Sequence, residues 1–270
     1  MRTVWLRCVV LVQPTTQKQH KYLLAVSDTY ASKCNETLFF TDSSVLLEKL
    51  SDSLNIFLLE GLNPAKWSFF LRVLRFLEAR PPTISTNTTT QWTAFVNEQT
   101  YLVVDNLLLL IAQAGAPAIL GRLENIRSPV SFLFPFTQTT AFCMDSGIAL
   151  SDKAIHLIAG NNNQECLSSN WLIPKYTGKA LLKCGRQIGA YILDPIDQDG
   201  HHLFVGTSLR SLFTKPQQAL SFLLPRQSIT QQQSVVSDCC SHKAIGFGQL
   251  SYRDIRLMHY FVNQMRVFGV

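Results

Sequence analysis

The sequence predicts a mixed protein of the α/β or α+β class. Three observations lead to this class: short apolar runs at strand spacing, longer segments with apolar residues at helical spacing, and a composition of 47% hydrophobic against 16% charged residues. Such a composition can fill a sizeable core and is not that of a disordered chain. A length of 270 residues fits one large domain or two of ordinary size.

The N-terminal half is expected to form a mixed sheet with packed helices. Its clearest element is an amphipathic helix at 65–80, because Pro64 suits a first helical turn and a double proline follows the segment. In chain order, the predicted elements are strands at 3–13, 21–27 and 38–41, a helix at 45–54, a strand at 55–61, the helix at 65–80, strands at 91–96 and 100–105, and a broken helix at 107–124. The first two strands are expected to form a hairpin, as are those at 91–96 and 100–105.

The second half is expected to contain mainly antiparallel strands plus a C-terminal helix. Short apolar runs between turn residues predict strands at 130–134, 140–144, 154–159, 171–173, 179–183, 188–193 and 203–205, and a short helix is expected at 216–224. The final helix begins at Tyr252 and ends near Val267, and Ser251 and Asp254 are spaced for a capping box. A boundary after residue 126 would separate an α/β domain, 1–126, from a β-rich domain, 127–270. One continuous domain is the alternative.

Charge is unevenly distributed along the chain. The net charge is +6, and residues 200–270 contain seven Lys and Arg against two Asp and Glu. Such a basic end can contact nucleic acid, an anionic membrane or an acidic protein, or it can be a solvated surface that keeps the protein soluble.

The seven cysteines predict the redox setting. Their odd number and irregular spacing suggest reduced thiols and an intracellular protein, cytoplasmic or nuclear. The most membrane-like stretch, 101–120, contains Asp105 and Asn106, so no membrane span is expected.

The sharpest motif is Cys143-Met144-Asp145-Ser146-Gly147. An apolar residue followed by Asp-Ser-Gly resembles the catalytic turn of aspartic proteases, and Phe204-Val205-Gly206 resembles the apolar–apolar–Gly segment of the retroviral type. The resemblance implies a dimer in which two copies of Asp145 share a proton. Ile148 departs from the small residue of that family, and the alternative is a strand-ending turn in which Asp145 accepts local hydrogen bonds.

Three other patterns contain residue types that can bind a metal ion or phosphate, and each also has a structural explanation. Residues 194–202 combine Asp and His, but the calcium-loop spacing fails and adjacent His side chains diverge on a strand, so a hairpin turn is predicted. Cys239, Cys240 and His242 lack a second ligand pair for zinc. The basic residues Lys175, Lys179, Lys183 and Arg186 would form one helical stripe, but Gly178, Gly185 and Gly189 argue against a stable helix. We therefore expect no metal and no cofactor.

The leading functional hypothesis is a non-enzymatic interaction or adaptor subunit of a protein complex. Its partner-binding residues would be Met258, Phe261, Val262 and Met265 on the C-terminal helix. One alternative is nucleic-acid binding by residues 200–270 through Arg253, Arg256 and Arg266. The other is a dimeric aspartic protease-like enzyme that uses Asp145. The sequence leaves the oligomeric state open.

Overall fold

The computed structural model describes residues 3–61, 63, 65–80, 89–127, 138–160, 166, 176–209 and 240–264. The strands in these ranges are β1 (Thr3–Leu11), β2 (Glu36–Thr41), β3 (Ile56–Leu58), β4 (Thr89–Asn97), β5 (Tyr101–Leu102), β6 (Ala118–Gly121), β7 (Leu123–Arg127), β8 (Gln138–Phe142), β9 (Ile148–Ser151), β10 (Tyr191–Leu193), β11 (Phe204–Val205) and β12 (Gly246–Phe247). The α-helices are α1 (Gln19–Ser27), α2 (Ser44–Leu50), α3 (Trp67–Glu78), α4 (Val104–Ile111), α5 (Asp152–Ala159), α6 (Thr177–Gln187) and α7 (Tyr252–Asn263).

Seven strands form the central sheet, in the order β10-β6-β9-β4-β1-β2-β3. β1 pairs in parallel with both β2 and β4, β2 pairs in parallel with β3, and β10 pairs in parallel with β6. β9 alone runs antiparallel, between β4 and β6. The predicted mixed α/β class is therefore confirmed. Strands from both sides of residue 126 share this sheet, and the division into two domains stays a prediction.

Helices cover both faces of the sheet. Because side chains alternate along each strand, neighbouring residues of β1 pack against different sets of helices. Leu6, Cys8 and Val10 of β1 belong to an apolar cluster with buried residues of α1, α2, α4 and α7. Val9 and Leu11 belong to a second cluster with α3, α5 and α6. Two smaller sheets, β11-β12-β5 and β7-β8, lie beside this arrangement. None of the described helices is long and apolar enough to cross a bilayer.

Several predicted elements have a different structure. Residues 21–27 belong to α1, 154–159 to α5 and 179–183 to α6, although all three were predicted to be strands. β4 and β5 do not form a hairpin, since β4 pairs with β1 and β9 while β5 pairs with β12. The predicted elements at 130–134, 171–173 and 216–224 lie outside the described residues.

Glycines at helix contacts explain the wrong prediction for α6. The helix contains Gly178 and Gly185, both buried. A side chain at Gly178 would collide with the carbonyl of Phe142, and one at Gly185 would press on Ile119. The low helix propensity of these glycines is outweighed here by close packing of the helix on the sheet.

Two disulfides contradict the prediction of reduced thiols. Cys8 is joined to Cys34, and Cys166 to Cys184, with Cα–Cα distances of 6.0 and 5.4 Å. Cys240 is disulfide-bonded as well. Among the described cysteines only Cys143 is free, and it is buried. Irregular spacing along the sequence did not reveal these pairs, because the cysteines meet only in the folded chain.

Candidate functional site

The candidate site lies where the strand order of the central sheet reverses. From β1 the chain continues to β2 on one side, whereas β4 occupies the other side. The carboxyl ends of β1 and β4 are therefore adjacent, and Leu11 pairs in register with Asn97. Loops leave the two strand ends in different directions at such a point, and the crevice between them is a usual place for ligands in open α/β sheets.

A cavity of about 330 Å³ opens at this place. Its volume lies within the range of small-molecule sites. Leu11, Phe95 and Val96 come from the two strand ends, and Phe142 and Met144 come from the end of β8 and the turn behind it. The wall is thus mainly apolar and suits a ligand with an apolar or aromatic body.

Polar groups gather on one side of this cavity around Asp145. One carboxylate oxygen of Asp145 accepts a hydrogen bond from Asn97 Nδ2 at 3.1 Å, and the other accepts from Gln249 Nε2 at 3.3 Å. Asn97 Oδ1 accepts in turn from the backbone N–H of Gln99 at 2.9 Å. These two hydrogen bonds hold the carboxylate in one orientation. Its remaining lone pairs can accept hydrogen bonds from donor groups on a ligand.

Backbone strain lies beside the same carboxylate. Gln249 adopts a left-handed conformation, with a φ of 54°. For a residue other than Gly, Asn or Asp this costs on the order of 1–2 kcal/mol, and such outliers concentrate at functional sites. With its backbone in this conformation, the Gln249 side-chain amide donates a hydrogen bond to the Asp145 carboxylate.

Another part of the lining comes from the starts of α3 and α6. The backbone N–H of Thr177 donates to the carbonyl of Ala65 at 2.9 Å, which joins the two helix starts. Tyr176 and Lys179 line the cavity here and are both exposed. A cationic side chain, Lys179, therefore lines the same cavity as Asp145.

Glu98 supports the loop behind β1 from a fully buried position at the end of β4. Its Oε2 atom accepts from the backbone N–H of Gln13 at 3.0 Å, and Gln13 lines the cavity. The Oε1 atom has no hydrogen-bond partner among the described residues. Burial is the main cause that raises the pKa of Glu98 above its usual range. The buried carboxyl thus fixes one edge of the cavity at an energetic cost.

Comparisons with known proteins add little to this geometry. No protein-family model matches the sequence. One solved structure with partial similarity is the bifunctional IspDF from Campylobacter jejuni, with a TM-score of 0.40 and 7% sequence identity. The match covers 75% of this chain and 52% of that one, so the chain spans about half of the length of IspDF. Similarity at this level carries no argument about function.

Asp145, the catalytic candidate, is the one predicted site residue that the cavity contains. Gly206 of the predicted apolar–apolar–Gly segment packs against Cys143 and Ser146, so the two halves of the protease-like pattern do meet. Gly147 has a φ of 81°, which a glycine adopts without strain. Asp145 accepts hydrogen bonds from side-chain amides of Asn97 and Gln249, which are distant in sequence, whereas the alternative of a structural turn predicted local donors. The protease hypothesis itself stays a prediction.

The free thiol of the cavity is a poor nucleophile. Burial is the main cause that raises the pKa of Cys143, so its thiol is protonated at neutral pH. It therefore contributes to the apolar wall.

The Asp- and His-containing loop at 194–202 is a turn, as predicted. Ile196 bridges to His202, and Asp197 Oδ1 accepts from the backbone N–H groups of Asp199 and His201. Ligand atoms of Asp197, Asp199 and His201 lie within 4.8 Å of one another. Hydrogen bonds, first from the Ser241 side chain, lower the pKa of Asp197 to about 2. The turn accounts for this cluster, and we assign no metal to it.

The residues predicted to bind partners fall into separate environments on α7. Ser251 and Asp254 form the predicted capping box, which is confirmed. Phe261 and Val262 are exposed, whereas Met258 packs against the core. Arg256 donates to Asp28 at 2.6 Å, and Arg253 lies over the ring of Tyr252. Met265 and Arg266 lie outside the described residues.

The described part of the basic stripe, 179–186, is helical. Lys179, Lys183 and Arg186 are exposed on α6, and Lys175 lies outside the described residues. Sequence reasoning missed the cavity because its residues come from six separate segments. The one available signal was the Asp-Ser-Gly turn after an apolar strand.

Proposed function

We propose that the chain binds a small organic ligand in the cavity at the carboxyl ends of β1 and β4. The observation that carries this proposal is the position of the cavity at the reversal of strand order. The apolar wall selects a ligand with an apolar or aromatic body, and Asp145 selects hydrogen-bond donors such as hydroxyl or amino groups. The proposed function is ligand binding, without a chemical reaction.

A screen for ligand-dependent thermal stabilisation tests the cavity. At a ligand concentration of one hundred times Kd, binding stabilises the folded state by about 2.7 kcal/mol, which should raise Tm by roughly 5–10 °C. Ala65→Trp, at the exposed rim, is expected to abolish this shift by filling the entrance. Asp145→Asn is expected to weaken binding about tenfold, because a neutral amide accepts hydrogen bonds less strongly than a carboxylate.

Two further variants separate the cavity from general effects on stability. Gln249→Gly should raise the Tm of the free protein by relieving strain, yet reduce the ligand-induced shift. Lys153→Gln on α5, which does not line the cavity, should leave the shift unchanged. Hits that stabilise the wild type and Ala65→Trp equally would place binding elsewhere and refute the proposal.

We retain the interaction subunit as a second candidate function. It is favoured by the outer face of α7, where Leu257, Tyr260 and Phe261 keep 46–55% of their surface exposed. Large apolar side chains that adjoin on one helix often dock on a partner protein. We propose a protein with a complementary apolar groove as the partner of this face.

Substitution of the α7 face tests the second candidate. The double variant Tyr260→Ser, Phe261→Ser should keep its Tm within about 1 °C, because exposed positions contribute little to stability. It should nevertheless lose a stoichiometric protein companion that co-purifies with the wild type from native cells. Val45→Ser on α2 is the matched control, since Val45 is 54% exposed. Retention of the companion by the double variant would exclude this face.

We also propose that the chain works in an oxidising compartment. The support is the disulfides, which persist in secretory or extracellular surroundings and are rare in the cytosol. The predicted cytoplasmic or nuclear location rested on reduced thiols and loses that basis.

A further inference from the structure

A cluster of cations surrounds one tyrosine on the surface formed by α1 and α7. Lys21 Nζ lies 5.6 Å from the ring centroid of Tyr252, and the guanidinium carbon of Arg253 lies 5.7 Å from the same centroid. Tyr22 meets this ring edge to face at 5.7 Å. Cation–π contacts hold the two cations in place, so less side-chain entropy is lost when they bind an anion.

Lys18 completes the cluster from the loop that precedes α1. It is exposed, and its charge acts on Tyr252 together with those of Lys21 and Arg253. A side-chain hydrogen bond from Arg253 is the main cause that lowers the pKa of Tyr252, and the charges of Arg253, Lys21 and Lys18 act in the same direction. The nearest acid on α7, Asp254, accepts from Ser251 in the capping box. The cluster therefore presents net positive charge.

The backbone of Lys18 has a strained conformation. Its φ of 59° and ψ of 35° are left-handed, at the position that caps α1, and its side chain makes no capping hydrogen bond. Glycine or asparagine would adopt this conformation at lower cost. A lysine at this position therefore combines a strained backbone with an exposed cation.

We propose that Lys18, Lys21 and Arg253 form a binding surface for a sulfated polysaccharide. Exposed, preordered cations on adjacent helices suit an extended polyanion, since each can contact a separate anionic group. The choice of a sulfated glycan over a nucleic acid rests on the oxidising compartment proposed above from the disulfides, since sulfated glycans are abundant polyanions outside the cell. The surface differs from the cavity, and its residues do not line that site.

Binding to heparin oligosaccharides at several salt concentrations tests this surface in the full chain. The wild type should bind, with an affinity that falls steeply as salt rises. Lys21→Gln, Arg253→Gln should bind at least tenfold more weakly, with a slope of log affinity against log salt that is about two lower, roughly one for each cation removed. The matched control is Lys153→Gln, Arg72→Gln on α5 and α3, which cover the opposite face of the sheet.

Lys18→Gly gives a readout that a merely structural role would not produce. It should raise Tm by relieving strain while weakening heparin binding and lowering the salt slope by about one. The proposal is overturned if heparin does not bind, if the cluster variant and the control bind equally, or if Lys18→Gly leaves binding unchanged. Tighter binding of oligothymidylate or of phosphatidylserine vesicles than of heparin would overturn it in favour of nucleic acid or a membrane.

Discussion

Replacing Cys34 with serine is expected to lower the free energy of unfolding by about 3–4 kcal/mol. The Cys8–Cys34 disulfide links residues separated by 26 positions, from the middle of β1 to the approach to β2. Closing a loop of this length restricts the unfolded chain, and most of that stabilisation is lost with the bond. Cys8 would remain as a buried thiol, which packs as a small apolar side chain, so the core is otherwise little changed.

Urea denaturation with and without reductant isolates the contribution of this bond. Without reductant, Cys34→Ser should unfold at a clearly lower urea concentration than the wild type. With reductant, both proteins should unfold together, because neither then contains the crosslink. A Cys34→Ser variant as stable as the oxidised wild type, or free Cys34 thiol in protein from native cells, would contradict the pairing.

Replacing Glu36 with alanine is expected to cost about 3 kcal/mol, because it leaves a buried cation without its partner. Arg7 lies in β1 with only 2% of its side chain exposed, and its Nε donates to Glu36 Oε2 at 2.7 Å. A second guanidinium nitrogen donates to the carbonyl of Arg80 at 3.1 Å. The cost lies at the lower end of the usual range because 21% of Glu36 is exposed and solvent can enter.

A double-mutant cycle separates the ion pair from the space that it fills. Arg7→Met, Glu36→Leu should recover most of the stability lost in Glu36→Ala, since neither side chain leaves a buried charge. Chemical denaturation of Arg7→Met, of Glu36→Leu and of the double variant gives the coupling energy directly. Equal stability of Glu36→Ala and the wild type would show that Glu36 is not the counter-charge on which Arg7 depends, since Arg7 also interacts with Asp152.

The elements that could be predicted are those whose local signals agree with their packing. The helix α3 follows a proline and carries one apolar face, and α7 begins with a capping box that depends only on neighbouring residues. The segments of α1, α5 and α6 were mistaken for strands because each contains a short apolar run. Such a run is compatible with either structure until its tertiary neighbours are known.

The candidate site was predictable only at Asp145. An Asp-Ser-Gly turn is a local signal, whereas the reversal of strand order depends on pairings between distant segments. β1 pairs with β4 across more than eighty residues, and neither strand contains a local signal that identifies the other as its partner. Lys18 and Arg253 are likewise brought together only by the packing of α1 on α7.

The position of β9 has consequences for how the chain becomes a folded protein during synthesis. When residues 1–126 have left the ribosome, β4 and β6 exist but the strand that separates them has not yet been made. Both then present open edges flanked by buried side chains such as Trp92, Phe95 and Ile119. Open apolar edges recruit strands from other molecules. A nascent chain must therefore protect this gap until Ile148–Ser151 closes it, and a fragment cut after residue 126 would aggregate instead of folding as a domain.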